Sequence, residues 1–191
     1  MKSIEDVKQE LEKMLSPKRY EHSIGVMEKA IELAGIYGED EEKAAYAGLT
    51  HDIAKEMTEE EYYKYANENN IDLAEIDKLV PSVLHGIIGA DIVAKKYGFT
   101  EQMQDAVRYH TTGRPNMTLL DKIIYVADKT EERTRNFKHL DILRDIVKEK
   151  GLDEAILYAM EDWTLAKAIE NRKLIHPNTI LARNDIISKL R

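Results

Sequence analysis

The chain has 191 residues, of which 43% are hydrophobic and 34% charged, a make-up that suits one folded domain with a full core. It contains no Cys, which excludes disulfides and thiolate metal sites, so any metal must be held by His, Asp or Glu. Its 28 basic and 36 acidic residues give a formal net charge of −8, which argues against a general nucleic-acid binder but not against a small polyphosphate met by a local metal cluster.

No apolar run approaches the roughly 20 residues of a membrane span. The opening Met1-Lys2-Ser3-Ile4-Glu5-Asp6 lacks the apolar core of a signal peptide. A cytoplasmic protein with no membrane partner is expected.

Nearly every segment reads as helix, because Ala, Glu, Lys, Leu and Ile dominate and no period-two alternation is sustained. Ile4, Val7, Leu11, Met14 and Leu15 follow helical spacing, so residues 1–16 are expected to form an N-terminal helix packed on a single domain spanning 17–191. Ser16 as N-cap and Pro17 at the first helical position open a second helix, which carries His22 and Gly25 and stops near Tyr37 and Gly38. Gly25 there permits a close approach by another helix or a ligand. A third helix, Glu41 to Leu49, is rich in small residues (Ala44, Ala45, Ala47, Gly48) and delivers His51-Asp52. Thr58 to Glu61 reads as a capping box before a tyrosine-rich helix with Tyr62, Tyr63 and Tyr65, expected to pack rather than to stack on a base.

Asn67 to Asp72 is a polar break, and Pro81-Ser82 reopens helix through His85-Gly86 to Tyr97-Gly98. Thr100 caps a helix carrying Tyr109 and His110 to a stop at Thr111-Thr112-Gly113-Arg114-Pro115. Met117 to Asp128 is strongly apolar and is expected to be the most buried helix. Lys129 to Phe137 is charged and reads as loop. Helices then fill Leu140 to Lys150 and Leu152 to about Leu174, and after His176-Pro177 a last helix runs from Ile180 to Leu190. His139 is expected in solvent, and His176 in a structural or pocket-lining place.

His51-Asp52 sets a neutral nitrogen ligand beside a carboxylate, a mixed pair suited to transition metals. Taken alone, it reads more readily as an ordinary N-cap Asp beside an unrelated His. Neighbouring side chains on a helix point about 100° apart, so both reach one centre only near a helix end or kink. Further ligand-type residues stand at His22, His85, His110 and Asp128 on separate helices or helix ends. Asp128 is the sharpest, because it follows Ile123-Ile124-Tyr125-Val126-Ala127, where a carboxylate is costly unless a cation neutralises it.

The ordered set His…His-Asp…His…His…Asp resembles the HD superfamily of metal-dependent phosphohydrolases. Arg19-Tyr20-Glu21-His22-Ser23, His51-Asp52-Ile53-Ala54-Lys55, His85-Gly86, His110-Thr111-Thr112-Gly113, Ala127-Asp128-Lys129 and Leu174 to Thr179 are similar to its YqeK-type branch, the symmetrical dinucleoside tetraphosphate hydrolases. The resemblance covers about residues 17 to 187 and implies an all-α HD-domain helical bundle. It implies a first metal on His22, His51, Asp52 and Asp128, and a second on Asp52 as bridge with His85 and His110. Iron is the metal it implies, as two divalent or mixed-valence ions, while ligand chemistry also admits manganese, cobalt, nickel or zinc. A hydroxide shared by the two cations would attack a phosphorus of diadenosine tetraphosphate and release two nucleoside diphosphates.

In that reading Asp52 and Lys55 are catalytic, and Arg19, Lys55, Thr111 and Gly113 contact phosphate. The chain departs from the branch after Asp128, where Ala-Asp-x-Ile-Glu-Pro-x-Arg-x-Phe is usual. Here the Pro is absent and one residue is inserted, so Arg135 aligns with the branch arginine by its offset to Phe137, with Arg133 as the alternative. Rival readings are an HD phosphohydrolase of mononucleotides or guanosine alarmones, and a non-catalytic nucleotide sensor. The oligomeric state is open, and a homodimer is compatible with the apolar helices and surface tyrosines.

Overall fold

The computed structural model of the chain describes residues 2–135 and 138–191, with the side chains of all of these except Lys138 and His139. No strand occurs among the described residues. Helix α1 (Ile4–Met14) is capped by Ser3 and buries Val7 and Leu11 against the neighbouring helices. Helix α2 (Pro17–Tyr37) starts at Ser16, whose hydroxyl accepts from the Arg19 N–H, and ends on Gly38 at φ 77°, as the sequence predicts. Helix α3 (Glu41–Thr50) follows after a short turn and packs closely on α2. A Cβ on its Gly48 would sit 3.1 Å from the Met27 Cα and the Val26 carbonyl, so a small residue is required for that approach.

Helix α4 (Glu59–Glu68) has the expected Thr58–Glu61 capping box. Its Tyr62 hydroxyl donates to the Ala54 carbonyl at 2.8 Å, and the ring joins Ala54, Leu84 and Ile88 in a small second core. A short helix, α5 (Glu75–Leu79), and a 3₁₀ turn (Pro81–Val83) precede α6 (Leu84–Tyr97), which packs on α7 (Glu101–Tyr109). Helix α8 (Leu119–Thr130) is the most buried in character: Leu120, Ile123, Ile124, Tyr125 and Ala127 have no exposed surface, and it packs on α2, α3, α7 and α10. Helices α9 (Lys138–Lys150) and α10 (Leu152–Tyr158) follow. The chain then passes through a π-helical stretch (Ala159–Leu165) into α11 (Ala166–Glu170), and α12 (Pro177–Leu190) closes the bundle.

Three expectations are corrected. Helix α8 runs through Lys129 and Thr130, so the loop begins only at Glu131, because the buried Val126 and Ala127 and the buried Thr130, bonded by its hydroxyl to the Val126 carbonyl at 2.8 Å, keep the helical register. The helix from Leu152 stops at Glu170 rather than Leu174, since Arg172 turns to φ 51°. The last helix begins at Pro177, with His176 as N-cap accepting from the Asn178 N–H at 3.2 Å. His176 also meets Asp77 at 3.0 Å and ties α12 to α5, the structural place expected of it. The side chain of His139 and the whole of Phe137 lie outside what is described.

Candidate metal centre

Helix α3 ends one residue before His51, which is its C-cap. The next residues wind in tight turns, with the N–H groups of Ile53, Lys55 and Met57 donating to the carbonyls of Thr50, Asp52 and Ala54 at 3.0, 2.9 and 3.1 Å. That break in the helix lets His51 and Asp52 point into one place, and both are buried, at 0% and 2% exposed. Four other elements deliver the remaining residues. Helix α2 brings His22, the start of α6 brings His85, the end of α7 brings His110, and the end of α8 brings Asp128. The α6–α7 approach depends on Gly86, where a Cβ would lie 2.7 Å from the Arg108 carbonyl oxygen.

The side chains gather around the two oxygens of Asp52. Its Oδ2 faces His51 Nε2 at 3.4 Å and His22 Nε2 at 3.9 Å. Its Oδ1 faces His85 Nε2 at 3.2 Å and His110 Nε2 at 3.5 Å. Asp128 Oδ1 stands on the first side, 3.1 Å from His22 Nε2 and 3.7 Å from His51 Nε2. The donor atoms of His22, His51 and Asp52 are mutually within 4.8 Å, as are those of Asp52, His85 and His110. The four rings run edge to face, with centroids 5.2 Å apart for His22–His51 and 4.9 Å for both His51–His110 and His85–His110.

The hydrogen bonds on the far side of the rings decide which nitrogen is free. His51 Nδ1 lies 2.8 Å from the Gly48 carbonyl and His110 Nδ1 lies 2.7 Å from the Val107 carbonyl, so each Nδ1 carries the proton. His22 Nδ1 lies 3.1 Å from Glu131 Oε1 and is fixed in the same way. The Nε2 atoms of His51 and His110 are then lone pairs aimed at a carboxylate oxygen or at another ring nitrogen, as between His110 and His85 at 3.0 Å. His51 Nε2 and Asp52 Oδ1 are buried and make no hydrogen bond among the described residues. Acceptors converging on acceptors in a buried site is the arrangement that a cation between them satisfies, and the nitrogen–carboxylate donor set fits transition metals.

The local field agrees with that chemistry. Burial opposes the charge on Asp52 and on Asp128, yet both carboxyls are held well below the usual range, that of Asp128 by Lys129 foremost. Burial pushes the His51 imidazole down and His85 down to about 4, so both are neutral, as ligands must be. Burial also lowers the ammonium of Lys55, with Asp52 and Asp128 opposing the drop.

The residues expected at the phosphate are spread unevenly. Lys55 Nζ lies 3.1 Å from His85 Nε2 and 4.0 Å from Asp52 Oδ1, inside the cluster. Arg19 Nη1 meets Asp52 Oδ2 at 2.6 Å, and Arg135 Nη2 meets Asp128 Oδ1 at 2.9 Å. Thr111 Oγ1 is 3.2 Å from His110 Nε2. Arg133 is turned away: its guanidinium is held by Glu28 and Glu21 on α2, each at 2.8 Å. The Gly113 N–H donates to the Tyr109 carbonyl at 2.7 Å and closes α7. At φ 68° a Cβ there would meet the Met160 Cε at 2.7 Å, so this glycine serves the turn and its packing. Sequence reading missed Glu131, which it left in a charged loop although it has no exposed surface and touches His22. The available signal was its spacing of three from Asp128, which on a helix end sets both carboxylates on one face.

The HD domain family matches residues 19–133. The chain is 36% identical to the symmetrical bis(5'-nucleosyl)-tetraphosphatase of Bacillus subtilis over 179 residues, covering 93% of this chain and 94% of that protein. It is 37% identical to the enzyme of the same name from Halalkalibacterium halodurans, with 91% of each chain covered. The fold superposes with a TM-score of 0.93 on the crystal structure of a predicted HD superfamily hydrolase involved in NAD metabolism from Clostridium acetobutylicum. That chain is 42% identical, and 99% of each chain is covered.

Proposed function

This chain belongs to the HD-domain family, and on that footing we propose that it hydrolyses dinucleoside tetraphosphates, diadenosine tetraphosphate above all, symmetrically into two nucleoside diphosphates. The observation that carries the reading is the division of Asp52, whose two oxygens face two separate sets of nitrogen donors. His22, His51, Asp52 and Asp128 would hold one cation, and Asp52, His85 and His110 a second. A bound pair of such ions supplies a nucleophilic water at neutral pH and polarises the phosphate oxygens. Iron is the metal we assign, and the Cys-free donor set also accommodates manganese, cobalt, nickel or zinc.

The chain's own cations do the remaining work. Lys55, set among His85 and Asp52, offers its ammonium to a phosphate oxygen next to the scissile bond. Arg19 and Arg135 neutralise Asp52 and Asp128 and are placed to turn a guanidinium toward an entering polyphosphate. Thr111 offers a hydroxyl beside His110. These fixed charges stabilise the negative charge that moves onto the leaving diphosphate, the main task in phosphoryl transfer. Arg133 is bound by α2 and leaves the phosphate contact to Arg135.

The reading places the enzyme in the cytoplasm, where nucleotide substrates occur. Among the described residues no helix is long and apolar enough to cross a membrane. A homodimer is compatible with exposed apolar side chains such as Ile36 and Ile169, and light scattering tests it.

A chromatographic product assay tests the whole reading. Diadenosine tetraphosphate with iron or manganese should yield ADP alone, and chelator or Asp52→Ala should abolish it. AMP plus ATP would overturn symmetrical cleavage. A preference for a mononucleotide, a guanosine alarmone or the pyrophosphate of NAD would replace the substrate, and binding without turnover would turn the enzyme into a sensor.

A further inference from the structure

Glu131 is the first residue beyond α8, and it has no exposed surface. None of the chemistry proposed for the metal centre requires a carboxylate there, and burying one is costly unless each oxygen finds donors. Both do. Its Oε1 faces His22 Nδ1 at 3.1 Å and accepts from the Thr134 hydroxyl. Its Oε2 accepts from the N–H groups of Arg133 and Thr134 at 2.7 and 3.0 Å. The loop therefore folds around this one carboxylate.

Two outer features hold the arrangement. Arg144 reaches from α9 and donates to the carbonyls of Thr130 and Glu131, both at 3.0 Å, and of Arg135 at 2.7 Å. On the other side Gly25, one turn along α2 from His22, leaves the space that the carboxylate fills. A Cβ on Gly25 would collide with Glu131 Oε2. Helix α2, the loop after α8 and α9 thus converge on a group that touches no substrate-facing atom except through His22.

We propose that Glu131 is the positioning residue of the first metal set. It fixes His22 as the Nδ1–H tautomer, orients the ring, and raises the donor strength of Nε2 toward the space shared with Asp128 and Asp52. The inference rests on the ligand roles proposed for His22 and Asp128. It also separates the four histidines by quality. His51 and His110 are oriented by neutral backbone carbonyls, and His85 has Lys55 beside both ring nitrogens, so His22 alone among them has a carboxylate behind it. Such outer carboxylates set tautomer and basicity, and losing one weakens metal binding by about 10- to 100-fold.

The test uses the full-length protein and Mn(II) as the probe, with Glu131→Ala, the near-isosteric Glu131→Gln, and Asp52→Asn as control. Long-range ¹H–¹⁵N spectra of the metal-free protein read the His22 tautomer, and calorimetric titration reads Mn(II) affinity. The expected result is a protonated Nδ1 on His22 in the unmodified chain, with Mn(II) binding about 10- to 100-fold weaker in Glu131→Ala. Glu131→Gln, whose amide oxygen still accepts from Nδ1, should restore part of the affinity, a rescue that mere loop packing would not give. A deprotonated Nδ1 on His22 in the unmodified chain overturns the proposal. So does unchanged Mn(II) affinity in Glu131→Ala while Asp52→Asn loses it. Full affinity in Asp52→Asn would instead overturn the ligand assignment itself, and the tautomer measurement would still judge Glu131. Should Glu131→Ala not fold, a shifted tautomer or weaker binding in Glu131→Gln supports the proposal in its place, and unchanged tautomer and affinity there overturn it.

Discussion

At the scale of single residues, Asp52 is the side chain on which both donor sets depend, because each of its oxygens faces a different pair of histidines. Asp52→Asn keeps the shape but removes one charged face, so turnover of diadenosine tetraphosphate should fall by about 10³-fold, the size of losing a principal charge-stabilising group. Steady-state kinetics against the unmodified enzyme check this, and a loss under tenfold would remove Asp52 from the chemistry. Gly25 carries a prediction of a different kind. A Cβ there meets the Glu131 carboxylate, which is buried and held by hydrogen bonds on both oxygens, so Gly25→Ala should lower unfolding free energy by about 1–3 kcal/mol, as overpacked sites do. Combined with Glu131→Ala the same change should cost much less, and chemical denaturation of the four proteins measures that coupling.

At the scale of elements, helices α4 and α1 are each held by a contact that its sequence pattern does not announce. Helix α4 is pinned to the turn after Asp52 by the Tyr62 hydroxyl on the Ala54 carbonyl. Tyr62→Phe leaves that buried carbonyl without its donor and should cost about 1–2 kcal/mol in urea denaturation, with the fold unchanged. Helix α1 is tied to α6 through Glu10, which pairs with Lys2 and Lys96 and accepts from the Tyr97 hydroxyl at 3.1 Å. Its hydrogen bonds from Lys2 and Lys96 lower the Glu10 pKa from 4.5 to about 2. A depressed folded-state pKa means that the tether contributes above the unfolded value and is lost as pH falls through the folded one. The stability difference between the unmodified chain and Glu10→Gln should therefore be full above about pH 4.5 and vanish toward pH 2, as read by thermal melts across that range. A difference that stays constant with pH would mean that the ion pairs contribute nothing.

At the scale of the molecule, the centre gathers residues from α2, α3, α6, α7 and α8, so a cation held there joins most of the bundle. An ion that binds the folded chain alone stabilises it by mass action. At a hundredfold excess over its dissociation constant the gain is about 2.7 kcal/mol, which for a chain of this size is a rise in Tm of about 5–10 °C. Calorimetry with Mn(II), and again with chelator, should show that rise and its reversal. Asp52→Asn should show little of either.

The sequence by itself determined the helical class, the caps of α2 and α4, the burial of α8 and the order of the six ligand-type residues. These follow from local signals: composition, apolar spacing, Ser16-Pro17 and the Thr58–Glu61 box, and a carboxylate at the end of an apolar run. Only the tertiary structure decided which partners those residues meet. That Arg135 rather than Arg133 reaches Asp128 depends on where Glu21 and Glu28 stand on α2, more than a hundred residues away. That the Gly113 N–H closes α7, and that Glu131 turns inward to His22, depend on which backbone groups lie nearest once the helices pack. A charged run reads as solvated because most charges are, and a single buried exception is set by long-range packing that no local pattern encodes.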